Sequence, residues 1–319
     1  MGQVMEVYAT EERTVELSMP SGNQVILPTS SKGMRKVTIQ KPDTMLPENI
    51  KKDVVIGGVT GALEAPPTGP YIEYTSLDSS GRVFTAKFRG TIVPEHAFSY
   101  LAELTSVDMP DNVIAIGDSG FYRCPKLQLT SLPSEITSLG DFAFSDCSKL
   151  ALTSLPSGIT SIGDQAFRDC FSLALTGLPS RITSIGDYTF RNCSKMVLTS
   201  LPSGITSLPT AAFQYCPKLA LTTFPSGMTS IGAYAFKQGT GLASITLPPA
   251  LTTIGDFAFA NCTGLETVKF TSTVSSIPGG VFSGCPKLST IYVPWSQGQV
   301  ANAPWGASNA TIIYDYTGE

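Results

Sequence analysis

One interval, 23 residues, governs this chain from Val93 to Leu288. Phe98, Phe121, Phe144, Phe167, Phe190, Phe213, Phe236, Phe259 and Phe282 fall at that interval without an insertion or deletion. Cys124, Cys147, Cys170, Cys193, Cys216, Cys262 and Cys285 each stand three residues behind one of them. A unit that short cannot enclose its own apolar side chains. Copies must therefore stack, each level covering the one before it, which predicts a repeat solenoid of nine turns.

One turn reads Leu150-Ala151-Leu152-Thr153-Ser154-Leu155-Pro156-Ser157-Gly158-Ile159-Thr160-Ser161-Ile162-Gly163-Asp164-Gln165-Ala166-Phe167, and then Cys170. Each apolar position has a partner one period on: Leu155 over Leu178, Ile159 over Ile182, Ile162 over Ile185, Phe167 over Phe190. Burying a Leu or Phe side chain contributes about 1.5–3 kcal/mol. Five or six such positions per level hold the coil together only when the next level is in place.

Composition narrows the function classes. Charged residues are 14% of the chain, well below the roughly 25% of ordinary soluble proteins, so the surface is rich in hydroxyl groups rather than ions. A net charge of −4 and no cluster of Lys or Arg argue against a nucleic-acid partner. Residues 1–20 hold no apolar run behind a basic start, and no stretch of 18 apolar residues occurs, so neither a secretion signal nor a membrane span is expected.

Seven cysteines cannot all pair within the chain. Neighbouring levels, about 4.8 Å apart, lie within bridging reach, so two readings stand: a buried ladder of free thiols, or one or more bridges between neighbours.

Outside the repeat the chain divides as follows. Residues 1–64 carry short β-rich runs (Gln3–Tyr8, Thr14–Leu17, Gln24–Leu27, Arg35–Gln40, Val54–Val59) between turn residues, which predicts a small β-rich attachment region. Residues 65–70, with three prolines, form a stiff linker. Residues 71–92 alternate apolar and polar residues around Asp78-Ser79-Ser80-Gly81, as a hairpin capping the open end of the 93–288 solenoid. Residues 289–319 hold both tryptophans, Trp295 and Trp305, and make a carboxy-terminal cap.

Leu242, Ile245, Leu247, Pro248, Leu251, Ile254, Gly255, Ala258, Phe259 and Cys262 bring the repeat closest to a known pattern. It resembles the BspA-like leucine-rich repeats, over about two thirds of the chain. The resemblance implies a leucine-rich-repeat solenoid of β-strands joined by short helical or irregular turns. The Leu-x-x-Ile-x-Leu portion is then a parallel strand on the concave face, with Ala-Phe-x-x-Cys opposite. It also implies adhesion to surface ligands. Pro47 to Gly61 resembles a segment of tail-associated structural proteins of phages, which implies attachment of residues 1–64 to a virion or similar assembly. One feature departs from the pattern: Leu129, Leu152, Leu175, Leu198 and Leu221 stand at the second place after the leading residue, where the family has Ile at the third. Strand side chains alternate faces, so either a bulge turns this column inward or it forms an exposed apolar ridge.

Few groups suggest chemistry. His96 is the single histidine, and no Ser–His–Asp, Cys–His or zinc-type Cys spacing accompanies it, so neither an enzyme nor a cofactor is expected. Asp118, Asp141, Asp164, Asp187 and Asp256 follow a glycine, at a place that suits capping of a helical turn. A stacked calcium site is the rival reading. The positions free to vary flank each Phe. There Arg168, Tyr188, Arg191, Tyr215, Tyr234 and Lys237 are the candidate ligand-binding residues, because aromatics and Arg are enriched where proteins bind partners. The expectation is a non-catalytic adhesion module for a protein or glycan, on an extracellular surface or virion. A ligand-free structural spacer is the alternative.

Overall fold

The computed structural model describes residues 4–9, 16–18, 24–26, 35–40, 54–56, 71–77 and 82–317. Its first strands are β1 (Val4–Ala9), β2 (Glu16–Ser18), β3 (Gln24–Ile26), β4 (Arg35–Gln40), β5 (Val54–Ile56), β6 (Tyr71–Leu77), β7 (Val83–Arg89), β8 (Ile92–Val93) and β9 (Ser106–Asp108). Six of them make one sheet in the order β4-β1-β5-β6-β7-β9, while β2 and β3 pair by themselves. The Pro-rich linker, the hairpin's turn residues and all of the phage-like segment except Val54–Ile56 lie outside the described residues. β6 and β7 pair antiparallel, and β7 runs parallel to β9 with Ala86 opposite Val107. Ile72, Val83, Ala86 and Phe88 are buried and join the core of the coil, so this hairpin closes its first level.

The coil's remaining strands are β10 (Ala115–Ile116), β11 (Ser138–Leu139), β12 (Ser161–Ile162), β13 (Ser184–Ile185), β14 (Ser207–Leu208), β15 (Ser230–Ile231), β16 (Ser244–Leu247), β17 (Thr253–Ile254), β18 (Thr267–Phe270), β19 (Thr290–Tyr292) and β20 (Thr311–Ile313). A parallel ladder of β8 and β10 to β13 keeps a strict 23-residue register, Ser138 against Ser161 and Leu139 against Ile162. After each of β10 to β13 a glycine N–H extends the ladder, as Gly163 does to the Leu139 carbonyl at 2.9 Å and Gly186 to Ile162 at 2.9 Å. These glycines are set by close approach: a Cβ on Gly163 would lie 2.5 Å from Asp141 Oδ1 and 2.6 Å from Asp141 N. At the next level the place is taken by Pro209, which has no N–H to donate. The ladder ends at β13 there, and β14, β15 and β17 form a separate sheet.

The Leu-x-x-Ile-x-Leu strand forms only where that spacing is kept. β16, β18, β19 and β20 make one parallel sheet at the carboxy-terminal levels, and β9 is its counterpart at the first. On the five intervening levels no strand forms at these positions. Leu152, Leu175, Leu198 and Leu221 are buried and Leu129 is half-buried. Leu155 and Leu201 are buried too, so inward residues there are three apart, which a strand's two-residue alternation cannot supply. The backbone leaves strand geometry, and the column turns inward rather than forming a ridge.

On the Phe side, the residues two before and two after the Phe carry positive φ, as at Gln165 (54°) and Asp169 (58°) on either side of Phe167. Left-handed backbone costs a non-glycine residue about 1–2 kcal/mol. Here it aims three amides of each turn at the next level: Gln165 N–H to Asp187 O, Phe167 N–H to Thr189 O and Asp169 N–H to Arg191 O, all at 2.8–2.9 Å. The Phe rings stack with them, centroids 4.8 Å apart for Phe98–Phe121 and 5.6 Å for Phe167–Phe190. All nine are fully buried.

Each thiol is free and donates to the carbonyl of the previous level's Phe, as Cys147 Sγ does to Phe121 O at 3.0 Å. The ladder of buried thiols is therefore the arrangement present. The aspartates do not cap helical turns, because no described residue is helical. Asp118 Oδ1 accepts the Asp141 N–H at 2.8 Å, Asp141 Oδ1 that of Asp164 at 2.7 Å, and Asp187 Oδ1 that of Thr210 at 2.7 Å. The carboxylates tie level to level because the preceding glycines let the backbones approach.

The coil also runs past Leu288. Phe282 N–H donates to the carbonyl of Trp305, 23 residues on, and β20 pairs with β19 at a 21-residue offset. Two residues are dropped from this tenth level, and the Phe place is filled by a buried indole whose Nε1–H donates to Ala301 O at 2.8 Å. Trp295 packs edge-on against Phe270 at 5.1 Å, so both tryptophans serve the cap.

Three measurements test this account. Phe190→Ala, which interrupts the ring stack at mid-coil, is expected to destabilise the protein by about 3–5 kcal/mol, read as a lowered urea midpoint. In amide hydrogen exchange, Thr206 is expected to exchange faster than Thr183 or Thr229. Those two donate to the level before them, whereas Thr206, beside Pro209, makes no such bond. Burial pushes the Cys216 thiol from 9.0 to about 12. Its proton is held more tightly in the fold, so the stability it contributes is full below pH 9 and lost as pH rises from 9 toward 12. The urea midpoint is expected to fall across that window, and less steeply in Cys216→Ala.

Candidate recognition flank

The left-handed residues at the Phe corners set which side chains face solvent. Two residues before each Phe stand His96, Ser119, Phe142, Gln165, Tyr188, Ala211, Tyr234, Phe257 and Gly280, and two after stand Tyr100, Arg123, Asp146, Asp169, Asn192, Tyr215, Gln238, Asn261 and Gly284. With the residue just after each Phe, these columns form one flank along the coil. All six candidate residues lie on it, and all are half-buried.

The structure gathers them into groups. The Arg191 guanidinium lies 5.9 Å from the Tyr188 ring centroid and 5.8 Å from that of Tyr215. Lys237 Nζ sits 5.2 Å from the Tyr234 centroid, and Tyr234 stacks on Phe257 at 5.6 Å and 8°. Such cation–ring contacts contribute about 0.5–2 kcal/mol each and hold the side chains in one orientation. Arg168 stands apart from the aromatics: its Nη1 donates to Gln165 Oε1 at 2.8 Å and its Nε lies 3.0 Å from Asp169 Oδ2.

At the amino-terminal levels the same columns make a second group that the sequence reading omitted. Arg123 lies over the rings of Tyr100 and Tyr122 at 5.6 and 5.1 Å, with Asp146 Oδ2 3.7 Å from its Nε. Tyr100, Arg123, Pro125, Asp146, Asp169 and Phe171 line a shallow concavity of about 470 Å³. Phe171 is 48% exposed and Phe257 40%. The signal that could have found these residues is the column two places after Phe, which supplies Tyr100, Arg123, Asp146, Asp169, Asn192 and Tyr215 from successive turns. Only Tyr215 was singled out from it.

Other groups are committed to structure. His96 Nε2 lies 3.2 Å from Glu95 Oε1, and its Nδ1 is 3.3 Å from Ser99 Oγ. Among the described residues, no three His, Cys, Asp or Glu side chains converge to hold a metal ion. No helix there is long and apolar enough to cross a membrane.

Solved structures similar to this one include leucine-rich-repeat proteins. One from Bacteroides ovatus ATCC 8483 is 19% identical over 96% of this chain and 76% of its own, with a TM-score of 0.53, a likeness of fold. The T. pallidum leucine rich repeat protein is 26% identical over 71% of this chain and 91% of its own, at a TM-score of 0.43. A leucine rich cell surface protein from Faecalibacterium prausnitzii A2-165 is 19% identical over 97% and 95%, at 0.40. No curated protein matches the sequence. The six-copy profile of the BspA type leucine rich repeat region matches residues 83–197 and 183–303. With that match covering more than half of the chain, the chain belongs to the BspA type leucine-rich-repeat family.

Proposed function

We propose that this protein is a non-catalytic recognition module that presents its Phe-corner flank to a protein or glycan on an extracellular surface. The observation that carries the reading is the arrangement of Tyr188, Arg191, Tyr215, Tyr234 and Lys237. These are half-exposed aromatic and cationic side chains fixed in rank by ring contacts, on a backbone bonded at every level. Aromatic and Arg side chains held in this way lose little entropy on binding. Family membership supports adhesion as the role. Residues 1–64, through the segment resembling phage tail proteins, are the proposed means of attachment to a virion or comparable assembly.

The test is saturable binding of labelled protein to bacterial and host cells. Tyr188→Ala, Arg191→Ala and Tyr234→Ala combined are expected to weaken it at least about thirtyfold, the loss of some 2 kcal/mol, while the circular dichroism spectrum keeps its folded form. A wild-type protein that binds no cell, yet incorporates stably into particles, is instead a spacer.

A further inference from the structure

Three arginines stand on the flank, and two are neutralised. Arg123 faces Asp146, and Arg168 faces Asp169 and Gln165. Arg191 has ring faces as its neighbours and no carboxylate or amide on its guanidinium among the described residues. Its Nε is buried without an acceptor. Asp187 Oδ1 takes the Thr210 N–H, and Asp169 holds Arg168 and the Asn192 amide. No Asp or Glu occurs within two residues of Phe190, Phe213, Phe236 or Phe259. Lys237, two levels beyond Arg191, has a ring for its partner and no ion pair.

We propose that Arg191 is an anion-binding centre and that its ligand is an acidic polysaccharide lying along the coil axis. This inference rests on the reading that this flank is the recognition face. The two Nη groups of the guanidinium fork take a carboxylate or sulfate in two parallel hydrogen bonds. Lys237 meets the next charged unit. Two levels at about 4.8 Å each match the distance between charged groups two sugars apart along such a chain. The outer face of Phe257, 40% exposed and backed by Tyr234, offers a platform for the apolar face of a pyranose ring. An acidic peptide fits less well. The corner's amides are committed to the next level (Tyr188 N–H to Thr210 O, Phe190 N–H to Ala212 O, Asn192 N–H to Gln214 O), which leaves no row of donors for an extended strand to pair with.

The experiment is surface plasmon resonance of the full chain over immobilised polygalacturonate, heparin, dextran and poly-glutamate at low salt. Binding to polygalacturonate or heparin is expected, and which of the two is tighter identifies carboxylate or sulfate. Dextran is expected not to bind, and poly-glutamate to bind at least about tenfold more weakly. Arg191→Gln and Arg191→Lys are both expected to lose at least about tenfold, because a lysine lacks the planar fork. Arg181→Gln, at an exposed arginine in a turn away from the Phe corner, is expected to change nothing. Equal losses for Arg181→Gln and Arg191→Gln, equal binding of poly-glutamate, or failure of both acidic polysaccharides to bind would each overturn the proposal. If the acidic polymers neither bind nor compete with cells while the triple flank variant still abolishes cell binding, the ligand class is wrong and the recognition face stands.

Discussion

Registry between levels is the constraint on which this structure depends. Each turn's apolar side chains have no cover except the same side chains one turn on, and the backbone enforces that overlap with hydrogen bonds running both ways. On the Ile side a glycine N–H reaches back, as Gly163 does to Leu139, while on the Phe side the amides of Gln165, Phe167 and Asp169 reach forward. Bonds of about 0.5–1.5 kcal/mol net each, repeated at every level, fix the vertical spacing at which phenyl rings stack. A change in length within any turn would slide all columns at once, which explains why nine phenylalanines keep one interval.

The conformation that holds the levels together also creates the candidate surface. Two left-handed residues flanking each Phe give the corner its forward-pointing amides, and their side chains emerge on one flank. Tyr188 and Tyr215 come from different turns and opposite sides of the corner, yet both contact Arg191. The cysteine and aspartate columns serve cohesion instead. Thiols donate to Phe carbonyls, and carboxylates accept the next level's N–H, so residue types that often signal chemistry are here occupied with neighbouring turns.

Departures from perfect repetition are informative. Pro209 interrupts a hydrogen-bond ladder without disturbing the ring stack, since Phe190 and Phe213 remain 5.4 Å apart and 8° from parallel. Moving one apolar residue from the third to the second place, as in Leu152 against Ile245, abolishes a strand while keeping both side chains buried. The fold tolerates loss of regular strand geometry more readily than loss of a column.

How much could be read beforehand follows from the range of each interaction. The 23-residue period fixes the coil and the inward Phe, Ile and Cys columns, because burial of a repeated side chain depends only on position in the repeat. The route of Leu129 to Leu221, the carboxylate ladder in place of helix caps, and the extra level closed by Trp305 were not legible. Each depends on φ values or on which backbone atom lies opposite one turn away. The site divides in the same way: side-chain identity named Tyr188, Arg191 and Lys237, but only the folded coil decided that Arg168 is neutralised by Asp169 and Arg191 is not. Charge and aromaticity are properties of the residue, whereas the partner of a guanidinium is set by the geometry of neighbouring levels, and that exists only once they are stacked.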